Sequence, residues 1–257
     1  MPSALMSHRT IVEAVCLTPW GDAASGLPGA ACKELPPVAG FAISRFGPLV
    51  HAVASACLEP VGGAGNHVGP DGARTAIVLA TVFGDVTTVD TANRAVAADQ
   101  RPDPVLFFQS VTTSILSHLT RQYGIEGPLI SISAVPDPAS NALLLADSLL
   151  DDHELHQVLV IGVETEPNER MRRTSDLAAA DGWSVPLPVG DAAAALLLRR
   201  VGTQTRRARL TLAEPVRRAV DDSDESAGPL GWLGRLMKLC ADVGSGQSGA
   251  CIYELSL

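Results

Sequence analysis

Two uninterrupted apolar runs of strand length constrain the fold of this chain most strongly. They occupy residues 74–82 (RTAIVLATV) and 156–163 (HQVLVIGV). A strand with one face in water alternates apolar and polar residues, whereas these runs do not alternate. A run of this kind is typical of a strand that is covered by helices on both faces. The two runs therefore predict a central sheet with a helical layer on each side.

The remaining patterns supply further strands and helices in alternation. Strands are predicted at 9–17, 129–135, 191–200, 206–212 and 249–257, and the stretch 191–200 is also compatible with a helix. Helices are predicted at 44–58 with Ser44 as cap, 85–99, 109–123, 230–241 and from Pro136 onward. Loops are predicted at 18–39 and 60–72, and a polar stretch at 221–228. This alternation predicts an α/β protein.

The composition excludes several classes of protein. The 257 residues are 46% hydrophobic and 18% charged, with a formal net charge of −9. Roughly a quarter of a typical soluble domain is charged, so this chain is too apolar to be disordered. Its negative charge argues against binding to nucleic acid. The shortage of charge favours a chain with apolar surface that meets a protein partner.

The sequence lacks the segments and motifs that would predict a membrane span, a signal peptide or a common cofactor. It contains no apolar run of about 18 residues, which predicts no membrane span. Residues 1–10 are interrupted by polar side chains, so no signal peptide is expected. The five cysteines are odd in number and form no CxxC pair, which favours free thiols in the cytoplasm. No P-loop or GxSxG motif occurs, and no cofactor is expected.

Two charged clusters have an ordinary interpretation and a functional one. His153 and His156 lie beside acidic residues between a predicted helix and a predicted strand. This cluster is interpreted as a solvated connection, with a metal site as the alternative. Arg170, Arg172 and Arg173 are interpreted as a solvated face, with an acidic partner such as an acyl carrier protein as the alternative.

Four segments, in order, resemble the N-terminal half of the β-ketoacyl synthases of the thiolase-like superfamily. They are 76–84 (AIVLATVFG), 104–128, 127–146 (GPLISISAVPDPASNALLLA) and 189–198 (VGDAAAALLL). The chain most resembles short proteins of the chain-length-factor type, which accompany aryl polyene and type II polyketide pathways. The resemblance implies a thiolase-like half with helix, sheet and helix layers around one central mixed sheet. It also implies that residues 1–257 form a single β-ketoacyl synthase-like N-terminal domain.

The chain departs from this family where catalysis takes place. The alignment puts the family's catalytic cysteine at Pro136, or at Val135 if the register slips by one residue. Neither side chain is a nucleophile, whereas acyl transfer requires a thiolate. The glutamine that replaces this cysteine in many chain-length factors is also missing. No histidine follows Gly202, so the two family histidines have no counterpart. We therefore expect no catalytic residue and no independent acyl transfer.

Other polar residues remain alternatives for catalysis. Ser131, Ser133, Ser140 and Cys57 are candidates for a relocated nucleophile. His51, His67 and His118 match no family position, and we interpret them as structural or exposed.

The resemblance also implies an interface. Family members dimerise by pairing the strand before the nucleophile helix across a two-fold axis, and 129–135 is that strand here. The interface candidates are Leu129, Ile130, Ser131, Ile132, Ser133 and Ala134. Phe107, Phe108 and Ile115 are candidates for setting the depth of an acyl pocket, with ordinary core packing as the alternative.

The sequence therefore predicts a catalytically inactive ketosynthase-like subunit. Its expected partner is a full-length β-ketoacyl synthase in a heterodimer, or a second copy of itself in a homodimer. Its acyl intermediates would be carried by an acyl carrier protein. No metal is expected. The alternatives are a stand-alone acyl-thioester enzyme with a relocated nucleophile and a homodimeric acyl-binding scaffold.

Overall fold

The chain folds around one seven-stranded sheet. The computed structural model describes residues 7–30, 34–59, 65–101, 103–135, 137–182, 185–200, 208–213, 228–245 and 250–255. The strands are β1 (Ser7–Leu17), β2 (Thr75–Ala80), β3 (Leu129–Ile132), β4 (Gln157–Glu164), β5 (Ala192–Arg200), β6 (Arg209–Ala213) and β7 (Ala250–Glu254). The α-helices are α1 (Phe46–Leu58), α2 (Val86–Ala97), α3 (Pro104–Ser110), α4 (Thr112–Tyr123), α5 (Pro138–Asp151), α6 (Glu169–Ala180) and α7 (Gly234–Gly244). Short 3-10 turns lie at Gly21–Ala24, Gly69–Arg74 and Gly231–Leu233.

The strand order is β3-β2-β4-β5-β1-β6-β7. Strand β2 is parallel to β3 and to β4, whereas β5 is antiparallel to β4 and to β1. Strand β6 pairs antiparallel with the start of β1 and parallel with β7. The predicted mixed sheet in an α/β protein is therefore confirmed.

Alternate residues of the central strands point into two separate hydrophobic cores. On β4, Val158 and Val160 lie in the core beneath α5 and α7. Their neighbours Leu159 and Ile161 lie in the core beneath α1 and α4. All four are fully buried, and each such side chain contributes about 1.5–3 kcal/mol when it leaves water. Burial on both faces explains why the sequence of this strand does not alternate.

The predicted helix 109–123 is wrong as one element, because the structure breaks it at Val111. This residue has an extended ψ of 114° and separates α3 from α4. Val111, Thr112 and Thr113 are three β-branched residues in a row, which lowers the preference for continuing a helix. Helix α3 begins earlier, at Pro104, because the Asp103 carboxylate accepts the backbone N–H of Val105.

The segment around the predicted nucleophile position also differs from the expectation. The predicted strand 129–135 ends at Ile132, since its partner β2 ends at Ala80. The following helix α5 begins at Pro138, with Asp137 as its cap, so the expected start at Pro136 is too early. Pro136 itself lies outside the described residues.

Helix α6 has no counterpart in the sequence prediction. Its side chains are mostly exposed, and Met171 is its one buried residue. Helices are found in sequence through an apolar stripe, which α6 lacks. A capping signal was present, because the Asn168 side chain accepts the N–H of Met171 at 2.9 Å.

Most of the remaining predicted elements agree with the structure. Helix α1 begins at Phe46, whose N–H is accepted by the Ser44 hydroxyl at 3.2 Å. The ambiguous stretch 191–200 is strand β5, because it pairs along its length with both β4 and β1. The polar stretch is outside the described residues except for Gly228, and so are 31–33 and 60–64 in the two predicted loops. Within the described ranges, no helix is both long and apolar enough to cross a bilayer.

Candidate functional site

Strand β3 forms one edge of the sheet and contains four of the interface candidates. It pairs with β2 on one side, and within the described ranges no strand pairs with its other side. Leu129, Ile130, Ser131 and Ile132 are all half-buried. An unpaired edge of this kind presents free backbone N–H and C=O groups to a further strand.

Helix α3 packs against α2 and α4 and carries a patch of exposed apolar side chains, whose end at Val111 is next to the residue that contacts β3. We call this patch the α3 surface, and its members are Val105, Phe107, Phe108 and Val111. Phe107 is 73% exposed and Phe108 is 45% exposed. The Thr112 hydroxyl, which follows Val111 directly, donates to the Ser131 hydroxyl at 2.9 Å. This hydrogen bond fixes the end of the α3 surface against β3.

The two phenylalanines and Ile115 are in different environments. The Phe108 ring lies 5.8 Å from the ring of Phe41, which anchors it on the body of the protein. Ile115 is 1% exposed and packs in the core beneath α1 and α4. Ile115 is therefore a core residue, as the packing alternative predicts. Phe107 and Phe108, by contrast, lie on the surface.

Beyond β3, the remaining candidates lie in the loop that leads to α5. The Ser133 hydroxyl donates to the backbone carbonyl of Val82 at 2.8 Å. Ala134 is half-buried, and Val135 is 39% exposed. These residues are therefore in a connection rather than on the edge strand.

The N-terminus of α5 is occupied by the chain's own polar groups. One oxygen of Asp137 accepts the N–H of Ser140 at 3.0 Å, and the other accepts its hydroxyl at 2.6 Å. The guanidinium of Arg235 lies 3.8 Å from the same carboxylate and 4.8 Å from the centre of the Tyr253 ring. Burial is the largest cause that raises the pKa of Tyr253. The Asp137 carboxylate thus caps α5 by accepting one of its first backbone N–H groups.

Two of the candidate relocated nucleophiles, Ser140 and Cys57, are buried away from solvent. Ser140 is 1% exposed, and the Cys57 side chain is fully buried. Burial raises the pKa of the Cys57, Cys240 and Cys251 thiols, and it raises that of Cys16 to about 11. The thiolate is the reactive form, so these four thiols are weak nucleophiles at neutral pH.

The histidines contact neighbouring side chains. His51 and His118 stack edge to face, with ring centres 5.5 Å apart, and His51 hydrogen-bonds to Gln122 at 2.8 Å. Burial lowers the pKa of His118. His67 Nε2 lies 3.7 Å from a carboxylate oxygen of Glu13.

The two clusters with an alternative functional interpretation lie elsewhere on the fold. His156 lies 2.9 Å from the Asp71 carboxylate, and His153 lies 3.1 Å from Arg200. In the part of the chain that the structure describes, no three His, Cys, Asp or Glu side chains are grouped to hold a metal. Arg170 pairs with Asp90 on α2. Arg173 pairs with Glu169 one turn away.

Sequence reasoning missed a small pocket and a buried carboxylate. The pocket encloses about 240 Å³ and is lined by Trp20, Arg45 and Val189, among others. The Arg45 guanidinium in this pocket is neutralised, because it lies 2.5 Å from the buried carboxylate of Asp191. The buried carboxylate is Glu164 at the end of β4. Its signal in the sequence was an acidic residue directly after an uninterrupted apolar run.

No family model matches the chain, and no curated protein matches it in sequence. Among solved structures, it is similar to a chain from the complex of the ketosynthase ApeO with its chain length factor ApeC from Xenorhabdus doucetiae. The two are 20% identical with a TM-score of 0.56, over 76% of this chain and 80% of that chain.

Two further solved structures point to the same fold. The ishigamide ketosynthase/chain length factor is 19% identical with a TM-score of 0.59, over 77% of this chain and 63% of that chain. A β-ketoacyl synthase from Burkholderia phymatum STM815 is 16% identical with a TM-score of 0.55, over 76% and 60%. This chain has a ketosynthase fold. The resemblance that the sequence segments suggested is thereby confirmed at the level of the fold. In this ketosynthase fold, β3 is the edge strand that precedes α5.

Proposed function

We propose that the chain is a catalytically silent subunit of the chain-length-factor type. It pairs with a full-length β-ketoacyl synthase and shapes that partner's acyl pocket in polyene or polyketide biosynthesis. The observation that carries the proposal is the unpaired edge of β3 together with the exposed aromatic side chains of the α3 surface. The similar complexes ApeO with ApeC and the ishigamide ketosynthase/chain length factor support it.

The edge and the α3 surface contribute different interactions to this pairing. The free N–H and C=O groups of β3 bind an antiparallel partner strand across a two-fold axis, which sets the register of the two subunits. Phe107 and Phe108 then bury their rings against the partner. Buried aromatic side chains dominate the binding energy of protein interfaces, commonly at about 2 kcal/mol or more each. The interface candidates Leu129 to Ile132 are the residues of this edge strand.

Catalytic silence is supported by the groups around the start of α5. The family's cysteine position falls on Pro136 or Val135, which carry no nucleophile. The Asp137 carboxylate accepts the N–H of Ser140 in the first turn of α5, a donor that an oxyanion bound there would need. The four described thiols are held in the protonated form by burial.

The remaining parts of the proposal concern the domain and the substrate. Residues 1–257 form one domain, which is supported by a single sheet that takes its first strand from Ser7 and its last from Ala250. The acyl chain is carried by an acyl carrier protein that contacts mainly the ketosynthase. The subunit then acts by the shape of its surface.

Co-expression with a ketosynthase encoded beside this protein tests the proposal. Size-exclusion chromatography with mass determination should show a one-to-one complex. Condensation activity should disappear when this subunit is omitted. A stable homodimer that ignores every ketosynthase would contradict the proposal and favour an acyl-binding scaffold. Acyl transfer by the purified chain alone would instead favour a relocated nucleophile.

A further inference from the structure

Glu164 is a fully buried carboxylate that joins three distant segments of the chain. It ends β4, and its side chain is inaccessible to water. One oxygen, Oε2, accepts the backbone N–H of Val82 at 2.8 Å and the indole N–H of Trp232 at 3.1 Å. The other, Oε1, accepts the Thr81 hydroxyl at 3.1 Å and the N–H of Phe83 at 3.3 Å. The carboxylate thereby links the loop after β2 to the turn before α7.

The backbone of β4 is shaped to admit the tryptophan. Gly162 lies two residues before Glu164 and on the same face of the strand. A Cβ atom at Gly162 would come within 2.8 Å of the Leu233 side chain and 3.3 Å of the Trp232 ring. A glycine at this position therefore lets the Gly231–Leu233 turn approach closely enough for the indole to reach the carboxylate.

The four partners of the carboxylate differ in what they can do when it gains a proton. The N–H groups of Val82, Phe83 and Trp232 can only donate, whereas a hydroxyl can donate or accept. Thr81 is the one partner with a hydroxyl, and its oxygen already accepts the N–H of Gly84 at 3.0 Å. A second lone pair on that oxygen can accept a hydrogen bond from the O–H of a neutral Glu164.

We propose that Glu164 is a reversible proton-binding switch, in which the Thr81 hydroxyl changes from donor to acceptor when the carboxyl group is protonated. The ionised form receives four hydrogen bonds, and the neutral form gives one to Thr81 while its second oxygen still holds Val82 and Trp232. The link between the β2–α2 loop and the turn before α7 is kept in both forms. The charge of the buried site changes between them.

The charged groups on the surrounding elements are engaged elsewhere. Asp85, at the start of α2, accepts the N–H and the hydroxyl of Thr88. Asp191, before β5, pairs with Arg45 and accepts the N–H of Glu166, whose own side chain is exposed. On α7 and α5, the Arg235 guanidinium faces the Asp137 carboxylate. Among the described residues, no charged side chain shifts the pKa of Glu164.

The balance between burial and hydrogen bonds sets the pH at which this switch titrates. Burial is the largest cause and raises the pKa of Glu164 from 4.5 to about 7, although the four hydrogen bonds oppose it. Between these two values the folded chain holds a proton that the unfolded chain has released. Stability therefore falls as the pH rises from about 4.5 to about 7.

The first experiment follows tryptophan fluorescence of the full chain between pH 5 and pH 9. We expect an inflection near pH 7, because the carboxylate touches the Trp232 indole. Glu164→Gln should abolish it, and Trp232→Phe should remove the same signal. An unchanged inflection in Glu164→Gln would overturn the proposal, since histidines titrate in the same range.

Urea unfolding at pH 5 and pH 8 gives a second, independent measurement. A pKa change from 4.5 to about 7 predicts a folding equilibrium constant roughly seventyfold larger at pH 5 than at pH 8, beyond the change seen in Glu164→Gln. Equal pH dependence in the two proteins would contradict the switch.

The role of Thr81 is tested with a matched pair of substitutions. Thr81→Ser keeps the hydroxyl, and the inflection should stay at the same pH. Thr81→Val removes both the donor to the ionised form and the acceptor for the neutral form, so the inflection should change little. A move to higher pH in Thr81→Val would show that the hydroxyl serves only as a donor, and would refute the proposed change of role.

Discussion

The two edges of the sheet differ in the way each is protected. The β3 edge has four uncharged residues, LISI, and the α3 surface exposes two phenylalanine rings. At the other edge, β7 exposes Ile252 as a single large apolar side chain. Its neighbour β6 carries the exposed Arg209. Natural edge strands are commonly protected by charge, by covering elements or by short length.

This difference supports the proposal that the β3 edge, rather than the β7 edge, binds a partner. Helix α7 packs its buried residues against the β1, β6 and β7 side of the sheet, where Tyr253 joins the same core. Helix α7 thus covers a face of the sheet near β7, and among the described residues no further strand pairs with β7. The β3 edge has unprotected backbone groups, and the end of the apolar α3 surface is fixed against it. This combination favours an obligate protein interface.

The largest effect is expected from substitutions in the α3 surface, compared with a substitution of an exposed apolar residue elsewhere. The double substitution Phe107→Asp with Phe108→Asp should weaken ketosynthase binding by at least about a hundredfold, because it removes two aromatic anchors and buries charge. A binding titration with the purified ketosynthase measures it. Leu177→Asp is the matched control, since Leu177 is 71% exposed on α6 and should not affect binding. An equal loss of ketosynthase affinity in the double variant and in Leu177→Asp would show that the α3 surface is not the binding site.

A matched isoleucine pair compares the two edges directly. Ile130→Lys on β3 should weaken binding roughly tenfold, because a lysine on an edge strand opposes pairing with a further strand. Ile252→Lys on β7 should leave binding within about twofold of the wild type. The same titration measures both. If Ile252→Lys proved the more damaging change, the interface would have to be moved to the opposite edge.

The smallest expected effect concerns the hydrogen bond that holds the α3 surface against β3. Thr112→Val removes the hydroxyl that donates to Ser131 and should lower the free energy of unfolding by about 1 kcal/mol. Urea unfolding measures the change. Thr113→Val, the neighbouring substitution in α4, should cost less. A larger loss from Thr113→Val would indicate that the Ser131 contact contributes little.

Several features of the fold could be read from the sequence because they depend on local pattern and burial. Residues 74–82 and 156–163 were recognisable as buried strands, since burial on both faces removes alternation. Asp137 was missed as the cap of α5 because Pro136 and Pro138 both satisfy the rule for a first helical turn. Helix α6 was missed because exposure leaves no apolar period to detect.

The candidate site could be predicted in part. Phe107, Phe108 and the residues of β3 were named from the sequence; the structure leaves the two rings exposed on α3 and puts β3 at an edge of the sheet. Ile115 was named with them but is in the core, since a helical stripe looks the same whether it faces the interior or a partner. The break at Val111, which turns α3 away from α4, decides between these two positions.

The sequence by itself determined the α/β class and the buried central strands. These depend on residue type and short-range periodicity, which one strand or helix expresses alone. Only the tertiary structure decided that β3 is an unpaired edge, that Asp137 occupies the start of α5, and that Glu164 meets Thr81 and Trp232. These contacts join residues up to 83 positions apart through a buried carboxylate. The energy of such a contact depends on how completely the surrounding fold excludes water.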